Sequence, residues 1–468
     1  MDLNKYYLEF GEDESKYLQL VAKIKDMIIS GKLEYDEKLP AIRSLSNKLN
    51  ISNATVVRVY NILEQAGYIS KREGSGTYVS YRRKITKNID LDNKDMYRLD
   101  GGRSPVDIFP VEDFKRAINT AVEEDFSMIL AYDDGDGLKE LKKSFSKYLS
   151  KFKIMSREEN IMVISGGQQG IDIVCKSLIN YSDPVFIESP SYSGAIEVLK
   201  SRGAKIISIP MLSDGLDIGI LKLKLEKIRP KLLYVMPNFQ NPTGISYSTY
   251  KKKKLIELAQ EYDFYILEDD FISDFRFMSE DNMPMKTYDT YNRVIYIKSF
   301  SKILMPGLRL GLMNLPLELS SRMHISKYST DISTSPLIQK AMYYYMEMPA
   351  WKENLMVMEK NYCEKYKLAN KYIRSRLDGL VSIVENDGGL NFFIELRRGY
   401  YSRDFVDFIY KKGVVVQSGA KYFDNDIDDR YFRVNIVSEN ISRIREAINI
   451  IRQGLIEFYD AGKEILKS

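Results

Sequence analysis

The spacing of apolar positions changes character twice along the chain. In YLQLVAKIKDMIISGKL (17–33), Leu18, Val21, Ile24, Ile28 and Ile29 recur at helical intervals, and Gly31 is the stop. Pro40 then opens a short helix, AIRSLSNKL (41–49), with Asn50 as a left-handed stop. Ser52 is placed to cap a third helix, NATVVRVYNILEQAG (53–67), which Gly67 ends. The stretch YISKREGSGTYVS (68–80) reads as two strands around a Gly-Ser-Gly turn. Residues 81–98, YRRKITKNIDLDNKDMYR, are polar without periodicity and read as a linker.

Beyond the linker the pattern is one of short, fully apolar runs: IMVIS, PVFIESP, AKIISIP, KLLYVMP, FYILEDD, RVIYIKSF and LGLMNLP. Helical stretches such as GIDIVCKSLIN and YKKKKLIELAQEYD lie between several of them. Strands apolar on both faces, alternating with helices, predict a mostly parallel α/β sheet covered on both sides. The lysines at 251–254 are expected to be a solvated helix face. The organisation expected is a first domain over 1–80, a linker over 81–98, and a second domain over 99–468. The second domain would divide into a large part, about 99–340, and a small α+β part, about 341–468.

Length and composition narrow the function. A chain of 468 residues is too long for one ordinary core. It has no run of about 18 apolar residues, so no membrane span is expected. The acidic N-terminus lacks an apolar segment and does not read as a signal peptide. Cys175 and Cys363 match no metal spacing, and His324 is the sole histidine. No metal site is expected, and a reduced, cytoplasmic setting fits. Residues 38–87 hold ten Lys/Arg and two acids, whereas the whole chain nets +4. That asymmetry points to a basic nucleic-acid module on an acidic body.

The first eighty residues resemble the GntR family of winged helix-turn-helix repressors. The likeness rests on Leu39-Pro40-x-x-Arg43-x-Leu45, on Ile51-Ser52-x-x-Thr55-Val56 and on EGSGTYV (73–79). It implies that Arg43, Ser52, Asn53, Thr55 and Arg58 face double-stranded DNA, and that Lys71, Arg72 and Gly76 serve the wing. Many relatives carry arginine where Asn53 stands, so base preference does not carry over.

Five motifs fall at the C-terminal ends of the expected strands, where ligands bind in such sheets. SGGQQG (165–170) opens a helix with free amides that suit a phosphate. ESPSY offers the Tyr192 ring, and PNFQNPTG fixes the Asn241 amide. ILEDDF sets Asp269 after a buried strand, where a carboxylate needs a cationic partner. SFSKILMPGLRLG supplies Lys302 and Arg309. One ligand has a phosphate, a ring with a basic nitrogen, a phenolic oxygen and an aldehyde: pyridoxal 5′-phosphate.

Residues 99–455 resemble the fold-type I aminotransferases of the aspartate/kynurenine/aminoadipate group, through NPTG and SFSK-x-x-x-PGLRLG in that order. The resemblance implies a Schiff base at Lys302, Asp269 on the pyridine nitrogen, Asn241 on the phenolic oxygen and Tyr192 on the ring. It gives the phosphate to Gly166, Gly167, Gln168, Ser299 and Arg309, with Tyr132 reaching over from the partner of a domain-swapped homodimer. Arg433, in YFRVNIV, matches the arginine that pairs a ligand carboxylate. GGRSPVDIFP (101–110) resembles an active-site segment but lacks the usual Pro-Asp pair in register. Relatives also place a tyrosine where Phe271 or Ile272 stands, and losing that hydroxyl weighs against efficient transamination.

A GntR-type reader ahead of an aminotransferase-like domain resembles the MocR class of regulators over nearly the whole chain. That implies a cytoplasmic DNA-binding regulator that senses an amine, an amino acid or pyridoxal phosphate itself. The alternative is an active aminotransferase with a vestigial DNA module.

Overall fold

The computed structural model describes residues 3–8, 10–11, 15–29, 32–33, 35–65, 68–72, 74–80, 96–101, 108–131, 135–278, 282–424 and 429–465. The chain divides into two compact units, 1–94 and 95–468.

The first unit holds helices α1 (Lys16–Ile29), α2 (Ile42–Leu49) and α3 (Asn53–Gln65), then strands β1 (Ile69–Arg72) and β2 (Gly76–Val79). Leu20, Ile24 and Ile28 of α1 are buried with Leu45 of α2 and Val56, Val59 and Leu63 of α3. The apolar stripe that predicts α1 is thus the face it buries. Asn50 adopts the left-handed conformation (φ 49°) that ends α2. The Ser52 hydroxyl accepts the Thr55 amide at 3.1 Å and caps α3. Strands β1 and β2 pair antiparallel from Ile69 with Val79 to Arg72 with Gly76. The expected stops Gly31 and Gly67 lie outside the described residues.

In the second unit, β3 is Tyr97–Arg98. An eight-stranded sheet follows: β4 (Ile161–Ile164), β5 (Pro184–Ser189), β6 (Lys205–Leu212), β7 (Gly215–Leu216), β8 (Leu232–Val235), β9 (Tyr265–Asp270), β10 (Val294–Ser299) and β11 (Gly311–Asn314). Its order is β4-β11-β10-β9-β8-β5-β6-β7. β5, β6, β8, β9 and β10 run parallel, whereas β11 is antiparallel to both β10 and β4. Helices pack on both faces, which is why the central strands are buried almost throughout and mostly apolar. The small part carries β12 (Ser382–Ile383), β13 (Asn391–Glu395), β14 (Val414–Val415), β15 (Gln417–Ser418) and β16 (Tyr431–Asn435). Of these, β12, β13, β16 and β15 form an antiparallel sheet.

Two expectations are corrected. The end of the expected linker is not a spacer, because Tyr97 and Arg98 form β3 and pair in parallel with Val414 and Val415. Their polar side chains hid a strand held by backbone bonds. The lysines at 251–254 are not all solvated either. Lys251 and Lys252 are buried: Lys251 pairs with Asp214 at 2.6 Å, and Lys252 donates to the Asn238 side chain at 2.6 Å and the Met283 carbonyl at 2.8 Å. Consecutive helical residues point in different directions, so one charge run serves both faces.

Candidate functional site

A cavity of about 390 Å³ opens at the C-terminal ends of the parallel strands. Gly167, Gln168, Tyr192, Asn241, Asp269, Ser299, Lys302, Arg309 and Arg433 all line it, from segments spread over more than 260 positions. Gly166 sits just behind. Its φ of 90° is left-handed, and an added Cβ would lie 2.9 Å from the Arg309 guanidinium. Arg309 is itself in the left-handed region (φ 49°), an uncommon state for a non-glycine residue that its surroundings must hold. Its guanidinium donates to the Ser165 carbonyl at 3.1 Å. The helix Gly167–Leu178 begins at the same spot, so unpaired amides and a cation converge there. Tyr132 lies outside the described residues.

Asp269 leaves β9 nearly enclosed, and its carboxylate accepts the Tyr234 hydroxyl at 2.8 Å. Burial pushes its carboxyl up to about 6, against the pull of that hydrogen bond. Behind it, Asp270 accepts the Ile272 and Ser273 amides at 3.0 Å and the Tyr296 hydroxyl at 2.6 Å. Lys298, fully buried on β10, lies 2.6 Å from Asp274 and 3.3 Å from Asp270. This ion cluster ties the end of β9 to the end of β10, the two strands that deliver Asp269 and Lys302.

The Lys302 amine donates to the Gly101 carbonyl at 3.1 Å. Burial pushes the amine down to about 8, with the Arg433 charge adding to the effect and Asp100 opposing it. Arg433 donates to the Asn241 side-chain oxygen at 2.8 Å and the Asp100 carbonyl at 2.6 Å, while its buried Nε has no partner among the described residues. Asn241 therefore presents its amide hydrogens elsewhere. Glu188, buried at the end of β5, fixes this turn by accepting the Met236 amide, the Gln240 side chain and the Tyr247 hydroxyl. Phe271 lines the cavity, and Ile272 is fully buried, so neither offers a hydroxyl.

Gly101 lines the cavity from the segment that resembles an active-site stretch, whereas sequence reasoning missed Asp100, Lys421 and Tyr422, which also line it. They come from the end of β3 and from a short 3-10 turn (Gly419–Tyr422), and neither carries a local motif.

In the first unit, Arg43, Ser52, Asn53 and Arg58 are exposed on α2 and α3, and Thr55 is half-buried. Several have partners within the unit. The Asn53 oxygen accepts the Ser46 hydroxyl at 2.6 Å, and the Arg58 guanidinium stacks on the Tyr17 ring at 3.8 Å. In the wing, Lys71 pairs with Glu64 at 2.6 Å, and Arg72 pairs with Asp36. Gly76 (φ 124°) lets the Lys38 side chain pass, since a Cβ would meet it at 2.8 Å.

The fold and the cavity define a pyridoxal phosphate-dependent aminotransferase scaffold carried behind a DNA reader. The chain belongs to the aminotransferase class I and II family, whose model matches residues 94–451, and the bacterial regulatory gntR family matches residues 16–79. It is 28% identical to the uncharacterized HTH-type transcriptional regulator YcxD of Bacillus subtilis, over 92% of this chain and 96% of that one. It is 25% identical to the probable rhizopine catabolism regulatory protein MocR of Rhizobium meliloti, over 97% of each. Among solved structures, the multiple substrate aminotransferase of Thermococcus profundus superposes with a TM-score of 0.75 at 29% identity, covering 79% of this chain and 94% of that one. The protein is a GntR-type DNA-binding regulator fused to an aminotransferase-like domain. None of its described helices is long and apolar enough to cross a membrane.

Proposed function

We propose that the second unit is a sensor: an amine, an amino acid or pyridoxal phosphate binds at Lys302 and changes how a homodimer of the reader engages a two-half-site operator. The observation that carries this reading is a lysine amine pushed down to about 8 by burial in a formed cavity, on the same chain as a reader with an exposed polar face.

The donor set fits the cofactor. Arg309 and the first amides of the helix at Gly167 form an anion cradle, which a side chain at Gly166 would fill. Asp269 offers a carboxylate for a ring nitrogen, Asn241 an amide for the phenolic oxygen and Tyr192 a ring face. Gln168 and Ser299 complete the polar lining. Bound there, the cofactor supplies an aldehyde that condenses with primary amines. Lys302 contributes a nucleophile that is neutral in a larger fraction than an ordinary lysine. Asp269 holds negative charge in a dry place, which stabilises a protonated ring nitrogen. Arg433 orients a ligand carboxylate. With Phe271 in place of a hydroxyl, the phenolic oxygen receives one donor fewer, which favours holding and exchanging an amine over fast turnover.

A ligand shifts an equilibrium only as far as it discriminates between two states. Operator binding is therefore measured by fluorescence anisotropy with and without pyridoxal phosphate and a panel of amines. A ligand-dependent change in affinity is expected. An affinity indifferent to the cofactor and to every amine sinks the sensor reading.

A further inference from the structure

Four cationic side chains line the cavity, and three are already engaged. Lys302 donates to the Gly101 carbonyl, Arg309 to the Ser165 carbonyl, and Arg433 to both Asn241 and the Asp100 carbonyl. The fourth, Lys421, makes no hydrogen bond or ion pair with a described residue. Its recorded contact is the Tyr422 ring, 5.2 Å from the ammonium, and the Arg433 guanidinium lies 5.4 Å from the centre of that same ring. Both cations thus stand around the same ring, and the Arg433 charge acts on the Lys421 amine. The carboxylates in the lining do not balance them. Among the described lining residues two carboxylates, Asp100 and Asp269, face four cations, and Asp100 is already paired with Arg98 at 2.9 Å. A cavity with surplus positive charge and a cation without a partner attracts an anion.

We infer that Lys421 receives a second anionic group, so the effector is an amino acid with an acidic side chain. Its amine would meet the Lys302 site, its first carboxylate Arg433, and its distal carboxylate Lys421. This rests on the sensing role proposed above and names the ligand class for it. An alkyl or aromatic side chain would leave the Lys421 ammonium unpaired beside a guanidinium. A diamine would add positive charge to a site already in excess.

The test titrates the full-length, cofactor-loaded protein with L-glutamate, L-2-aminoadipate, L-leucine, L-phenylalanine and putrescine. Cofactor absorption and the heat of binding are both recorded. The acidic amino acids are expected to bind up to about fivefold tighter than leucine, which is what an exposed ion pair supplies. Lys421→Gln should erase that preference and Lys421→Arg should keep it. Unchanged cofactor absorption in both variants shows that the cavity is intact. Equal binding of glutamate and leucine by the unaltered protein overturns the inference and leaves amine sensing standing. So does a preference that survives Lys421→Gln. If no member of the panel changes either signal, amine sensing itself falls, and the inference with it.

Discussion

The two units hold their functional side chains in opposite ways. On the reader, Arg43, Ser52 and Arg58 stand on an exposed face, and the wing cations are paired with acids that are themselves exposed. In the cofactor half, the Tyr234 hydroxyl holds Asp269, the Gly101 carbonyl accepts from Lys302, and the Asp270–Lys298–Asp274 cluster joins the two strand ends that deliver them. The reader meets a large, highly charged partner, so exposed cations on a helix pair suffice. The cavity must place a small ring to within a fraction of an ångström, and the carboxylate and the amine that would meet it are both held by hydrogen bonds.

The sharpest way to break this contrast is at Lys302. Lys302→Ala should remove the yellow, borohydride-fixable attachment of pyridoxal phosphate completely while the reader still binds DNA. An adduct that persists after reduction would assign the chemistry to another lysine. Next in size is the reader face. Arg43→Ala or Arg58→Ala should weaken operator binding by about 1–3 kcal/mol and leave cofactor absorption unchanged. Loss of a phosphate contact should also lower the salt slope of log affinity by about one. If either change altered the cofactor spectrum, the separation of the two kinds of site would fail.

A third effect is set by pH. The neutral Lys302 amine is the form that attacks an aldehyde, and its value is pushed down to about 8. The rate of cofactor uptake by the cofactor-free protein should therefore rise with pH and level off above about 8. A rate still climbing toward the ordinary lysine value of about 10.4 would show that burial and Arg433 do not act on this amine. The smallest effect is in the wing. Asp36→Ala should change thermal stability by under about 1 kcal/mol, because the pair with Arg72 is exposed, and should tighten non-specific DNA binding by freeing a cation. A large loss of stability would mean that the wing is braced as the cavity is.

Much of the site was legible because its motifs are local. Asn241 in its Pro/Thr/Gly turn, Asp269 after an apolar strand, and Lys302 with Arg309 in one short segment each announce themselves and meet as strand order requires. The apolar runs likewise marked the main strands, and the left-handed Asn50 and the Ser52 cap stand where side-chain chemistry put them. What stayed hidden depends on distant contacts. Lys298 gives no sign in RVIYIKSF that its charge is fully buried against two aspartates on the neighbouring strand's loop. The antiparallel entry of β11 between β10 and β4 is a matter of strand direction, to which an apolar run is indifferent. Lys421 and Asp100 reach the cavity from segments more than 300 residues apart.

One strand has a consequence for how the halves could speak. β3 is the first described element after residue 80, and it is stitched to β14 by two residue pairs. Directly after it, the Asp100 carbonyl is gripped by Arg433 and the Gly101 carbonyl by Lys302, the two side chains that a ligand would recruit. Gly101 is held in the left-handed region (φ 76°), where an added Cβ would strike Asn435 at 2.6 Å. On the proposed function, Arg433 and Lys302 hold the start of the second unit and the ligand with the same two side chains, so a ligand that claims them must release the Asp100 and Gly101 carbonyls.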